Sequence, residues 1–126
     1  MVYNVIITGT RAFDDYKLLK EECDKYFSTL TDGSDSESIK IITGNDGKAE
    51  KLAQQYATEN EYPVAVYSLN VDKYGSSAAI IRNTNMVAKA DSAICFWNGS
   101  SGGVKLTIDL CKRKGIDYKV IKYNNK

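Results

Sequence analysis

Runs of β-branched residues alternate with stretches of helical periodicity along this chain, and no tight-turn pair joins one run to the next. The runs are Val2 to Thr8 ending at Gly9, Ile39 to Thr43 ending at Gly44, Val64 to Tyr67, Ser92 to Trp97, and Tyr118 to Ile121. Each has the length and composition of a strand. Pro63 opens the third, where a missing N–H is tolerated. Between the runs, Leu19, Cys23, Tyr26, Phe27 and Leu30 recur at spacings of three and four, as do Ala49, Leu52, Ala53, Tyr56 and Ala57. Such spacing marks one face of a helix. A third helix is expected from a Ser76 or Ser77 cap to about Ala90. A fourth starts at Ser101 and stops before Gly115. Asp14 and Asp15 offer caps for the first. Thr31 to Ser38 is polar and reads as a loop. Parallel strands need crossover connections, whereas antiparallel neighbours accept short turns. The expected fold is therefore α/β: a single Rossmann-like three-layer sandwich with a mostly parallel five-stranded sheet. A ferredoxin-like α+β fold would need hairpin turns that the sequence lacks. At 126 residues the chain has the length of one domain, 1–126.

Composition narrows the chemistry. Histidine is absent, which excludes Ser-His-Asp triads, histidine acid–base catalysis and histidine metal ligands. No metal site and no cofactor is expected. The three cysteines, Cys23, Cys95 and Cys111, form no C-x-x-C and sit among apolar neighbours. They read as core thiols in a reducing cytoplasm. Lysine plus arginine number 17 against 16 acidic residues, a net charge of +1, so no broad footprint for nucleic acid is expected. No apolar run is long enough to span a membrane, and the N-terminus lacks a basic leader pattern.

In doubly wound folds ligands bind at the carboxyl ends of the strands. Those ends here read Gly9-Thr10-Arg11, Thr43-Gly44-Asn45-Asp46-Gly47, and Asn98-Gly99-Ser100-Ser101-Gly102-Gly103. Glycine admits close approach of a ligand to the backbone, and the amides of a helix start bind anions. Neither the P-loop nor the dinucleotide fingerprint is present. On the third helix, Ala79, Arg82, Asn83, Met86, Val87 and Ala90 fall on one stripe, which places Arg82 and Asn83 on a face that should be buried. One reading has Arg82 paired internally; the other has both residues at the edge of a pocket, reaching a phosphate or ribose. Trp97 either caps the core or stacks on a base. Lys112-Arg113-Lys114 reads as a solvated face in the last turn of a helix.

Three motifs carry a resemblance to a known family. Gly9-Thr10-Arg11-Ala12-Phe13 looks like a G-S-R-x-F opening, Ile81-Arg82-Asn83-Thr84-Asn85-Met86 like an I-R-N-x-x-M helix, and Phe96 to Gly103 like an F-W-[DN]-G-x-S-x-G loop. Together they resemble the YspA-like, cpYpsA-related branch of the SLOG superfamily, which also holds LOG-type phosphoribohydrolases and the DprA recombination mediators. The resemblance implies a domain that binds nucleotides or nucleotide-derived ligands, with a homodimer as the default assembly. It implies site residues at Gly9, Thr10, Arg11, Gly44, Arg82, Asn83, Trp97, Gly99, Ser101 and Gly103. Where the family's second loop reads G-G-A-R-G-A-D, this chain has Gly44-Asn45-Asp46-Gly47-Lys48-Ala49-Glu50. The glutamate that follows the glycine loop of the phosphoribohydrolases has no counterpart, since Lys105 and Leu106 stand there.

The expectation is a cytoplasmic protein binding a nucleotide-derived small molecule, an ADP-ribose- or NAD-like compound or a cyclic nucleotide signal, as a sensor or a sequestering protein. Its phosphates would meet the glycine loops, Asn98, Ser100 and Gly102 included, with Arg11 and Arg82 neutralising charge and Trp97 or Tyr74 flanking the base. The alternative is hydrolysis of an N-glycosidic or phosphoanhydride bond. That needs a carboxylate, and Glu50 is the catalytic candidate, with Asp46 also at a strand end and Asp72 on a nearby loop.

Overall fold

The computed structural model describes residues 2–31, 39–45 and 47–123. The polar stretch at 32–38 and the acidic candidate Asp46 lie outside the described residues. Five strands, β1 (Tyr3–Gly9), β2 (Ile39–Gly44), β3 (Val64–Tyr67), β4 (Ser92–Trp97) and β5 (Asp117–Lys122), form one sheet in the order β3-β2-β1-β4-β5. Every neighbouring pair is parallel. The fold is thus the expected Rossmann-like α/β arrangement, and its sheet is parallel throughout.

β1 lies at the centre and is buried on both faces, which explains why its sequence is a continuous apolar run rather than an alternating one. Its successive side chains serve two separate cores. Val5 and Ile7 pack with Cys23 and Phe27 of α1 (Tyr16–Thr31) and with Ala53 and Tyr56 of α2 (Lys48–Glu59). A single turn, α3 (Val71–Tyr74), and a 3₁₀ turn, Gly75–Ser77, lead into α4 (Ala78–Lys89). Ile6 packs with Met86 and Val87 of α4 and with Ile108 and Cys111 of α5 (Gly102–Lys114). All three cysteines are buried, in agreement with the reading as core thiols.

Local sequence sets the helix ends. Asp15 Oδ1 accepts the Leu18 amide at 3.1 Å, the expected N-cap of α1. Gly115 takes φ 82°, a left-handed value that glycine tolerates, and its amide bonds the Cys111 carbonyl at 2.9 Å to close α5. Two expectations are corrected. Ser77 stands at the N-cap of α4, but its hydroxyl makes no capping bond, because the chain enters through the 3₁₀ turn. The cluster Lys112-Arg113-Lys114 is not simply a solvated face. Lys114 Nζ donates to the carbonyls of Val87, Ala88 and Ala90 at 2.8, 2.9 and 3.0 Å. A cation of one helix thereby closes the carbonyl end of its neighbour, where the helix dipole favours positive charge.

The strand order fixes where a cleft can open. The chain steps outward from β1 to β3, then crosses back to set β4 beside β1. The loops leaving β1 and β4 part there, which opens a crevice at the carboxyl edge of the sheet.

Candidate functional site

A cleft of about 120 Å³ occupies that crevice. β1 supplies Thr8 and Gly9 and the loop after it Arg11; the first turn of α2 supplies Glu50. α4 adds Ala79, Arg82 and Asn83, and the start of α5 adds Ser101, Gly103 and Val104. Arg11 also lines an adjoining cleft of about 340 Å³ with Asn45, Gly47, Lys48 and Lys51, so the two share one wall. A third cleft, of about 300 Å³, lies beyond the loop after β4 at Asn98, Gly99, Lys122 and Tyr123.

Close packing shapes the floor. A Cβ at Gly9 would stand 2.8 Å from the Phe96 carbonyl oxygen and 3.0 Å from Ala49 Cβ, so only glycine fits between β4 and α2. A Cβ at Gly47 would meet Arg11 Cα at 2.9 Å, and Lys48 donates its amide to the Arg11 carbonyl at 2.8 Å. The loops after β1 and β2 are therefore held backbone to backbone. Thr10 joins the loops after β1 and β4: its amide bonds the Phe96 carbonyl at 2.9 Å, and its hydroxyl accepts the Asn98 amide at 3.2 Å.

The polar residues of the cleft are organised. Glu50 is only 4% exposed, and its Oε2 accepts the Thr8 hydroxyl at 2.8 Å. Arg82 is half-buried; its Nε donates to Asn83 Oδ1 at 2.6 Å and its Nη1 to the Tyr67 carbonyl at 3.3 Å. Asn83, buried, donates on to the Gly103 carbonyl at 3.4 Å. Asn98 Oδ1 accepts the amides of Ser100 and Ser101, both at 2.9 Å, which turns the chain into α5. The first amides of that helix, from Gly102 on, have no acceptor within it, as at any helix start.

The structure gathers Gly9, Arg11, Glu50, Arg82, Asn83, Ser101 and Gly103 around one cleft. It sets other expected residues aside. Gly44 is buried inside β2, opposite Tyr67, and its carbonyl accepts from Gln54 Nε2 at 3.3 Å. Trp97 is half-buried, and its indole N–H donates to the Ser101 carbonyl at 3.0 Å, bracing the glycine loop. Lys122 Nζ lies 5.6 Å from the centre of its ring. Thr10, Asn98 and Ser100 shape the loops; Gly102 is exposed at the helix start, Gly99 lines the third cleft, and Tyr74 and Asp72 lie exposed on α3. Thr8, Ala79 and Val104 line the cleft but were not among the expected site residues. Thr8 was legible as the hydroxyl that closes the apolar run of β1, as Thr43 does in β2, and Ala79 as part of the α4 stripe.

Residues 3–74, more than half of the chain, match the YspA, cpYpsA-related SLOG family. The match takes in Gly9, Arg11 and Glu50 and ends before Arg82 and the loop after β4. No curated protein and no solved structure matches.

Proposed function

The chain belongs to the YspA, cpYpsA-related SLOG family, a membership that points to a nucleotide-related ligand-binding or catalytic role, and from that premise we propose that it binds a nucleotide-derived small molecule at the carboxyl edge of its sheet. One observation carries the reading: Arg11, Arg82 and the glycine-bearing start of α5 face a single cleft at the switch between β1 and β4. Guanidinium groups form charge-assisted, paired bonds to phosphate, and helix-start amides add donors. The ligand class is that of ADP-ribose, NAD or a cyclic nucleotide, held by a cytoplasmic sensor or sequestering protein. A homodimer, the default that the superfamily resemblance implies, is its proposed working state. Light scattering that reads the 14.0 kDa monomer at micromolar concentration would remove that part.

The test is a thermal-shift panel of NAD, ADP-ribose, AMP and 3′,5′-cyclic AMP. A ligand at about a hundred times its dissociation constant adds about 2.7 kcal/mol, which raises Tm by several degrees. No shift with any of the four would leave the reading without support.

A second reading, hydrolysis, rests on Glu50, a carboxyl group placed in the cleft itself. A carboxylate there can activate water or stabilise an oxocarbenium-like centre. The two readings part on the fate of the ligand. A binder returns it intact when the protein is denatured, because amides and arginines that hold ground and transition states alike do not lower a barrier. An enzyme returns products over many turnovers, and loses them in Glu50→Gln while binding persists.

A further inference from the structure

We infer that the cleft of Arg11, Lys48 and Lys51 is a second anion subsite, which selects a ligand with two linked phosphates, a nucleoside diphosphate or its sugar derivative, over a monophosphate or a cyclic monophosphate. Lys48 and Lys51 are its specificity residues. The inference rests on the binding reading above and names the ligand more narrowly.

Size comes first. The cleft at the switch between β1 and β4 holds about 120 Å³, well below the roughly 300–1,000 Å³ of ordinary ligand pockets. A whole nucleotide must extend beyond it. The adjoining cleft of about 340 Å³ has the space, and Arg11 is a wall of both. A ligand running from one cleft into the other therefore passes along Arg11.

The walls of the larger cleft decide what lies there. Arg11, Lys48 and Lys51 are cations, and the remaining lining residues, Asn45 and Gly47, are uncharged. Lys48 is the first residue of α2 and Lys51 lies three further on, a spacing that sets both on one side of the helix. Gly47 brings Arg11 against them. A Cβ there would stand 2.9 Å from Arg11 Cα, and the Lys48 amide donates to the Arg11 carbonyl at 2.8 Å. That bond occupies the first amide of α2, so the three side chains are what the cleft presents to an anion. Like charges around one space repel each other, and an anion between them removes that cost. Lys48 also meets Asp14 at 3.9 Å, with both side chains exposed, a contact worth little and readily exchanged for phosphate. A single phosphate engages Arg11 from one side. A second phosphate linked to it reaches the lysines, with the guanidinium as a fork between the two and the ammonium groups as point charges. A 3′,5′-cyclic nucleotide has one phosphate and cannot fill both subsites.

The experiment is titration calorimetry with AMP, 3′,5′-cyclic AMP, ADP and ADP-ribose. It compares the native protein with Lys51→Gln, with the double variant Lys48→Gln/Lys51→Gln, and with Lys20→Gln, which removes the same charge from the exposed side of α1. Lys48 and Lys51 are exposed, so their variants keep the packed core. ADP and ADP-ribose are expected to bind about tenfold or more tightly than AMP and cyclic AMP, the scale of an added charge-assisted contact. The double variant should bring ADP and ADP-ribose down to the level of AMP and leave AMP nearly unchanged. Lys51→Gln should do so in part, and Lys20→Gln should leave all four unchanged. Equal affinity of the native protein for AMP and ADP overturns the inference and leaves the binding reading intact. A preference for ADP that survives in the double variant, or that falls equally in Lys20→Gln, overturns it too, since the attraction then comes from elsewhere on the surface. Failure of all four to bind overturns both.

Discussion

Arg82 shows how one side chain serves both packing and recognition. It sits on the buried stripe of α4, yet its bonds to Asn83 Oδ1 and the Tyr67 carbonyl hold the guanidinium at the cleft wall. Arg82→Ala is expected to weaken ligand binding by about 2 kcal/mol, the scale of a charge-assisted phosphate contact. Its unfolding free energy should fall as well, because the hydrogen bonds to Asn83 and to the Tyr67 carbonyl are lost, each worth about 1 kcal/mol. Titration calorimetry and urea melts on the same variant separate the two effects; a badly destabilised protein that still binds normally would make Arg82 a structural residue. Gly9 should behave in the opposite way. Its missing side chain leaves room for the Phe96 carbonyl and Ala49, so Gly9→Ala is expected to cost about 1–3 kcal/mol of stability by overpacking. An unchanged urea midpoint would mean that β4 and α2 yield easily at that point.

At the level of elements, α4 and α5 are coupled by Lys114. Its ammonium meets three carbonyls at the end of α4, and the interaction acts on a helix to which Lys114 does not belong. Lys114→Ala is expected to lower stability by about 1 kcal/mol, the scale of a cation at a helix carboxyl end. Lys112→Ala, two residues earlier in the same last turn and exposed, should cost clearly less; equal losses in thermal melts would sink the capping role. This contact also marks the limit of what the sequence makes legible. Periodicity reveals each helix because it depends on spacing within the element. The strands were visible for the same reason, and the glycine-bearing ends pointed to the edge of the sheet where the cleft lies. Arg82 and Asn83 stood out because polar residues interrupted an apolar stripe. The partner of Lys114 lies on another helix, and the partner of the Trp97 indole is a loop carbonyl, so neither follows from spacing. The single turn α3 leaves no periodic signal because it buries nothing; Asn70 holds it by accepting the Lys73 amide on its Oδ1 at 3.1 Å and the Tyr74 amide on its carbonyl at 3.0 Å.

The whole molecule carries two cores on one sheet, and each holds a buried thiol that burial pushes up in pKa. Cys23 lies on the α1/α2 side, Cys95 and Cys111 on the other. For all three, removal from water is the first cause of the rise, and Cys111 reaches about 11 from 9.0. The direction fixes how stability responds to pH. The unfolded chain releases these protons near its ordinary thiol value of about 8.5, while the folded chain keeps them. The stabilisation is complete below that value and is lost as pH rises through the folded one. Alkali should therefore weaken this protein from about pH 9 upward, with Tyr26, raised to about 12 chiefly by burial, extending the decline. Urea midpoints are expected to agree at about pH 7 and about pH 8 and to fall by about pH 10. Cys111→Ser should reduce that fall, since a serine hydroxyl does not titrate there. The same burial predicts that a thiol reagent at about pH 8 finds the native protein inert and the urea-unfolded chain reactive at all three cysteines. A flat midpoint across the alkaline range, or prompt labelling of the native protein, would show that the two cores open far more readily than their packing implies.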